Sequence, residues 1–146
     1  RRALYVDIYG WEEIAIKKIE NDKFVKQQCC TDLGKDVRVY IIGNKVVAAV
    51  LRTSEKSFKS NYSLGGNVSL YDLNETERKY VDTITQMLPM DFAAIDFIFN
   101  NGQAAFNEIE DAAGARMLYS ISDIDIVKMQ VEYMMKELKK SCIAKN

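Results

Sequence analysis

The stretch Phe92–Asp111, FAAIDFIFNNGQAAFNEIED, constrains this chain more than any other. Ala93–Phe99 is an apolar run, Asn100-Asn101-Gly102 is a turn, and Gln103–Ile109 runs back. Asn-Gly at the tip predicts a tight β-hairpin, because both residues tolerate positive φ. Acid interrupts this apolar hairpin. Side chains alternate faces along a strand, so Glu108 and Glu110 share one side. With the turn centred near Gly102, Asp96 sits opposite Glu108 on that same side. Ile95, Phe97 and Ile109 then point to the other. Three bare carboxylates packed this closely repel, so something cationic belongs among them. A hard divalent ion with oxygen ligands is one candidate. An edge hairpin with one solvated, charged face is the other reading, and spacing alone does not choose between them.

Composition sets the outer bounds. A chain of 146 residues can bury one real core. A hydrophobic fraction of 48% with 28% charged residues predicts a globular, soluble domain. The net charge is −1 and the Lys and Arg residues are spread along the chain, so no nucleic-acid footprint is present. No apolar run approaches the roughly 20 residues of a membrane span, and no signal peptide is visible. Three cysteines without framework spacing predict reduced thiols and a cytoplasmic protein. Histidine is absent, which excludes His-based triads and leaves acid–base or electrophilic work to carboxylates, Lys, Arg or a metal.

Taken in order, the chain opens on the strand-like Ala3–Tyr9, as a fragment of something longer would. Phe24–Cys30 predicts another strand. Val37–Ile42 and Val46–Leu51 flank Gly43-Asn44-Lys45 and form a second hairpin, with Asp36, Arg38 and Arg52 at its ends. Charges there ordinarily solvate a rim, but Arg52 follows an apolar run and is placed to project over the hairpin carboxylates. Thr53–Tyr71 is a long polar connection. Its Lys59-Ser60-Asn61 and Gly65-Gly66 offer a cation, donors and bare amides suited to phosphate or carboxylate; a flexible surface loop is the plainer alternative. Asn74 caps a helix with Glu77 as its capping-box partner; Val81, Ile84 and Leu88 form the core stripe and Pro89 ends it. Asp111–Arg116 predicts a loop. A last helix runs from the cap Asp123 to about Lys139. Ile124, Val127, Val131, Met134 and Leu138 face inward at helical spacing. The order of elements is an α+β pattern.

GKDVRVYIIGNKVVAAVLR, FKSNYSLGG and DFAAIDFIF…FNEIED…G, in that order, resemble the C-terminal half of an ATP-grasp ligase of the RimK-like type. The resemblance spans roughly Gln27 to Leu138. It implies a mostly antiparallel sheet with packed helices, divergent nucleotide-cover strands over 1–26, the C-terminal ATP-grasp subdomain over 27–139, and a tail over 140–146. It also implies an enzyme that joins a carboxylate to an amine, on small-molecule or peptide substrates; charge and hydropathy have already argued against nucleic-acid or membrane partners. ATP phosphorylates the carboxylate and the amine attacks the acyl phosphate. Magnesium ions, with manganese as a substitute, are implied at Asp96, Glu108 and Glu110. Glu110 stands where many relatives have Asn. Arg52 corresponds to an arginine near the transferred phosphate. Asp36 and Lys59-Ser60-Asn61 correspond to nucleotide contacts, with Lys for the family's Arg. Gln28 and Cys29 fall where backbone meets adenine.

Departures lie upstream. Asp7 occupies the place of a phosphate-binding Lys, and Gly10-Trp11-Glu12-Glu13 has one glycine where the family has several. Two functions therefore stand. One is an ATP- and magnesium-dependent carboxylate–amine ligase, seen as its catalytic C-terminal portion and inactive alone. The other is a non-catalytic remnant serving as a nucleotide-binding or interaction module.

Overall fold

A computed structural model describes residues 30–55, 66–111 and 113–143. The expected strands at Ala3–Tyr9 and Phe24–Cys30 lie outside these residues, Cys30 excepted. Among the described residues, five strands form one antiparallel sheet: β1 (Lys35–Ile42), β2 (Lys45–Thr53), β3 (Asn67–Leu70), β4 (Phe92–Asn100) and β5 (Gln103–Asp111), in the order β3-β2-β1-β4-β5. Both expected hairpins are present, each with a two-residue tip. Gly43 and Asn44 have φ of 56° and 62°, and Asn101 and Gly102 have φ of 51° and 74°. Positive φ at both tip residues matches the right-handed strand twist, which is why Asn and Gly occupy them. Lys45 and Asn100, expected in the turns, belong to β2 and β4.

The register carries the functional geometry. A two-residue tip alone would set Asp96 opposite Asn107. A bulge adds one step: Phe97 pairs with Phe106 but Asp96 pairs with Glu108, leaving Asn107 as the extra residue. Asp96 and Glu108 thus face each other as the spacing predicted.

The sheet is packed on both faces. Val37, Val39, Ile41, Ile95, Phe97 and Phe99 form one face, with Val81 of α1 (Glu75–Met87) and Leu73 packed on it. Tyr40, Ile42, Ala48, Val50 and Ala94 form the other. They pack with Met117 and Leu118 of α2 (Arg116–Ile121) and Ile126 of α3 (Ile126–Ile143). Alternation puts Arg38, Arg52 and Asp96 in phase with Tyr40, Val50 and Ala94, at the far end of this second face.

The helices depart from expectation in three places. The capping box at Asn74 forms, with Glu77 N donating to Asn74 Oδ1 at 2.9 Å and Asn74 N donating to Glu77 Oε2 at 2.8 Å. Leu88, however, is the exposed C-cap rather than core, because the helix stops at Met87. Second, α2 starts at the last residue of the expected loop Asp111–Arg116 and fills a stretch for which no element was expected, while the strand β3 lies within the expected polar connection Thr53–Tyr71. β3 gains its ladder from β2, a tertiary partner that local polarity does not reveal. Third, α3 begins later and turns a different face inward. Lys128 N donates to Asp125 Oδ1 at 3.0 Å, so Asp125 and not Asp123 caps it, and the helix runs on to Ile143. Val127, Val131, Met134 and Leu138 are each more than half exposed, while Ile126 is fully buried. Tyr133 sets the rotation: its hydroxyl donates to Asp91 Oδ1 at 2.6 Å.

Candidate active site

Pairing of β1 with β2 sets Asp36 opposite Arg52, and pairing of β1 with β4 sets Arg38 opposite Asp96. Opposed residues share a face within side-chain reach. Arg38 grips Asp96 at two points, Nε donating to Oδ1 and Nη2 to Oδ2, both at 2.8 Å. Arg52 Nη2 donates to the same Oδ2 at 2.8 Å. Arg52 Nε donates to Asp36 Oδ1. At the other end, Arg38 Nη2 meets Glu110 Oε2 in an ion pair. The result is a row of alternating sign: Asp36, Arg52, Asp96, Arg38, Glu110.

Asp96 and Arg52 are only 2% and 6% exposed. Charges so deep persist only when paired and hydrogen-bonded, and two-point guanidinium contacts are the strongest such pairing. Burial works against the Arg38 charge, but the hydrogen bonds and charge of Asp96, with Glu110 and Tyr40 behind them, more than offset it. The Arg38 pKa is raised and the group stays cationic. Burial pushes the neighbouring Tyr40 phenol up despite the pull of Arg38 and Arg52. Tyr40 therefore stays neutral and donates to Gly114 O at 2.9 Å, tying the sheet to the segment before α2.

Asp36, Arg52, Asp96 and Glu110 are thus brought into one row, and Glu108 lies beside it as the exposed register partner of Asp96. Gln28, Cys29, Lys59, Ser60 and Asn61, with Asp7 and Gly65, lie outside the described residues. Arg38 is the residue that sequence reasoning missed. It was expected at a solvated rim, whereas it is the cation set among the hairpin carboxylates. Its signal was the V-R-V alternation, which puts a charge on an inward phase of a central strand.

Divalent metal is implied here by the resemblance, and the donor set bears on it in two ways. Among the described residues, no three Asp, Glu or Cys side chains are grouped closely enough to cage a cation by themselves. Glu110 Oε2 is buried against Arg38 Nη2, its ion-pair partner, as Asp96 is held by Arg38 and Arg52. Magnesium characteristically takes one or two carboxylates plus phosphate oxygens and water rather than a full protein cage. Hard carboxylate oxygens, with Glu108 exposed two residues from Glu110 on the same strand, fit that habit.

The chain matches the profile of the RimK-like ATP-grasp domain over residues 12–134. It is 28% identical over 125 residues to a protein named probable alpha-L-glutamate ligase 2 from Hahella chejuensis, covering 85% of this chain and 41% of that one. It is 32% identical over 133 residues to the uncharacterized protein MG011 of Mycoplasma genitalium, covering 88% of this chain and 46% of that one. The chain therefore spans less than half the length of either relative. Among solved structures, the ATP-grasp ligase PsnB complexed with a phosphomimetic variant of minimal precursor, Mg and ADP superposes with a TM-score of 0.58. That match is at 16% identity over 75% of this chain and 34% of that one. A Chryseobacterium gregarium RiPP-associated ATP-grasp ligase, in complex with ADP and a leader and core peptide, gives 0.57 at 17% identity. It covers 73% of this chain and 34% of that one. At such identities the likeness is one of fold. Among the described residues, no helix is long and apolar enough to cross a membrane. The ordered motifs, the sheet that carries them and the profile match agree: this chain belongs to the RimK-like ATP-grasp family.

Proposed function

We propose that this chain is the catalytic C-terminal portion of an ATP-dependent carboxylate–amine ligase of the acyl-phosphate type, cytoplasmic, acting on small-molecule or peptide substrates. The observation that carries this reading is the charged row on one sheet face, Asp36, Arg52, Asp96, Arg38 and Glu110. Arg52 is held between Asp36 and Asp96, so its guanidinium is fixed before substrate arrives. A preorganised cation stabilises charge on a phosphoryl group in transfer without having to reorient. Asp96, Glu108 and Glu110 would hold Mg²⁺, or Mn²⁺ in its place, which when bound neutralises phosphate charge. Asp36, Lys59, Ser60 and Asn61 would contact nucleotide, with Gln28 and Cys29 along the adenine.

The second reading, a nucleotide-binding or interaction module without turnover, draws on Asp7 standing where a phosphate-binding Lys is expected. Phosphoryl transfer depends on positioning, so a missing clamp is costly. The separating assay is ADP release from ATP and Mg²⁺ with a panel of amino acids and short peptides, run on this chain and on any longer natural form. The ligase reading expects substrate-stimulated release from the longer form, abolished by Glu108→Gln, and little from this chain alone. Nucleotide binding by both forms with release from neither would leave the module reading standing and overturn the ligase.

A further inference from the structure

The last helix turns an apolar face outward. Val127, Val131, Met134 and Leu138 of α3 are each more than half exposed, and so is Met135 beside them. Ile126 and Tyr133, on the other side of the helix, pack toward the sheet. Single exposed apolar residues are ordinary, but a contiguous row of them marks an interaction surface. The row steps by 4, 3 and 4 residues. That is the narrow seam of a coiled coil, whose knobs seat between residues of a facing helix, and not the wider stripe that lays a helix on a sheet. Beside the seam, Val131 and Met135 line a shallow groove edged by Lys136, Lys139 and Lys140. Charge is sorted along the same helix. Asp123 and Asp125 stand just before its first turn, and the three lysines crowd its last turns.

We propose that α3 is a self-association surface, pairing antiparallel with α3 of a second copy of this chain about a two-fold axis. The seam has the same 4-3-4 spacing read in either direction, so the reversed helix matches itself. Val131 falls level with the partner's Met134, and Val127 with the partner's Leu138. The same register sets Asp125 level with the partner's Lys140. Each acidic start then lies toward a basic end, and opposed helix dipoles act in the same sense. A parallel pair would set the lysines beside their own copies, where like charges repel. Lys140 is held by Glu137 in an exposed pair of small worth, so it is free to turn to the partner. One patch serving both copies is the isologous arrangement of a two-fold dimer. A helix of 18 residues is about 27 Å long, so the covered area lies at the small end of specific interfaces and the dimer is weak, in the micromolar range. None of these residues belongs to the charged row, so the surface is separate from the ligase reading.

Sedimentation velocity over a concentration series reads the association, on the 146-residue chain and on any longer natural form. Both should pass from monomer to dimer at micromolar concentration. Val131→Glu places a charge at the centre of the seam and should weaken the dimer about tenfold or more. Its unfolding midpoint should stay native, because the position is exposed in the monomer. Leu138→Gln gives the same reading should Val131→Glu fail to fold. Spin labels on the exposed Cys142, in a Cys29→Ser and Cys30→Ser background, report orientation by pulsed electron paramagnetic resonance. The antiparallel register separates the two labelled positions by about 28 Å along the axis, at about 1.5 Å of rise per residue, whereas a parallel pair brings them together. A chain that is monomeric at every concentration overturns the proposal, as does a dimer indifferent to both Val131→Glu and Leu138→Gln. Short distances between Cys142 labels overturn the antiparallel pairing. A longer form that stays monomeric while the 146-residue chain dimerises shows the face covered within its own chain, and overturns the proposal as well.

Discussion

Arg38 and Asp96 are register partners on adjacent central strands, and they meet in a two-point hydrogen bond that Arg52 completes from the other flank. The pairing ties the hairpin of β1 and β2 to the hairpin of β4 and β5. It does so through charge buried at one end of a sheet face whose remainder is apolar.

Asp96→Ala should therefore be severely destabilising. It leaves two guanidinium groups facing each other with no carboxylate between them. Breaking a buried pair from one side typically costs about 3–5 kcal/mol. Urea unfolding of the variant measures this directly. A loss under about 1 kcal/mol, the value of an exposed pair, would show that the cluster is effectively solvated.

Gly43→Ala and Gly102→Ala separate backbone strain from packing. Both residues have positive φ, so each alanine carries the left-handed cost of about 1–2 kcal/mol. A Cβ at Gly102 meets open space, whereas one at Gly43 enters the ring of Tyr133. The Gly43 variant should be the less stable of the two. Removing the ring with Tyr133→Ala should bring the costs of the two alanines together. Persistence of the gap in that background would mean that the Tyr133 contact does not carry it.

Asn74→Ala should cost about 1 kcal/mol through loss of the helix cap. Glu77→Ala should cost more, because Glu77 also accepts from Tyr71 OH at 3.0 Å and is itself buried. Losing that carboxylate strands two donors instead of one. Thermal unfolding of both variants and of the double mutant gives the coupling, and independent, additive effects would contradict the shared network.

Alkaline pH should erode stability over a defined window. Burial, then the hydrogen bond to Glu77, pushes the Tyr71 phenol up to about 12. The hydrogen bond to Asp91 comes first for Tyr133, which also rises to about 12. An unfolded tyrosine titrates near 10, so above that pH the unfolded chain gives up protons that the folded chain retains. Stability contributed by these phenols is complete below about pH 10 and falls as pH climbs toward about 12. Denaturant midpoints measured through that range should drop, and Tyr71→Phe should flatten the drop. An unchanged slope in Tyr71→Phe would show that its proton is not linked to folding.

Local chemistry was enough for much of this protein. Asn-Gly and Gly-Asn tips specify hairpins because they alone accept two successive positive φ values cheaply, and Asn74 with Glu77 specifies a helix start because the box is closed within four residues. The ordered motifs were enough for the family. Tertiary structure decided what depends on partners distant in sequence. Spacing set Asp96 opposite Glu108 by centring the turn near Gly102, but the structure reaches that pair from a tip at Asn101-Gly102 through a bulge at Asn107, and no spacing rule announces the bulge. Arg38 becomes central because β1 lies between β2 and β4, so its charge meets Asp96, 58 residues away, instead of water. The final helix had a plain apolar stripe, yet its rotation was set by the Asp125 cap and the grip of Tyr133 on Asp91, leaving that stripe exposed. Periodicity records that a helix has a face; only long-range contacts, whose energy belongs to no single segment, determine which face turns inward.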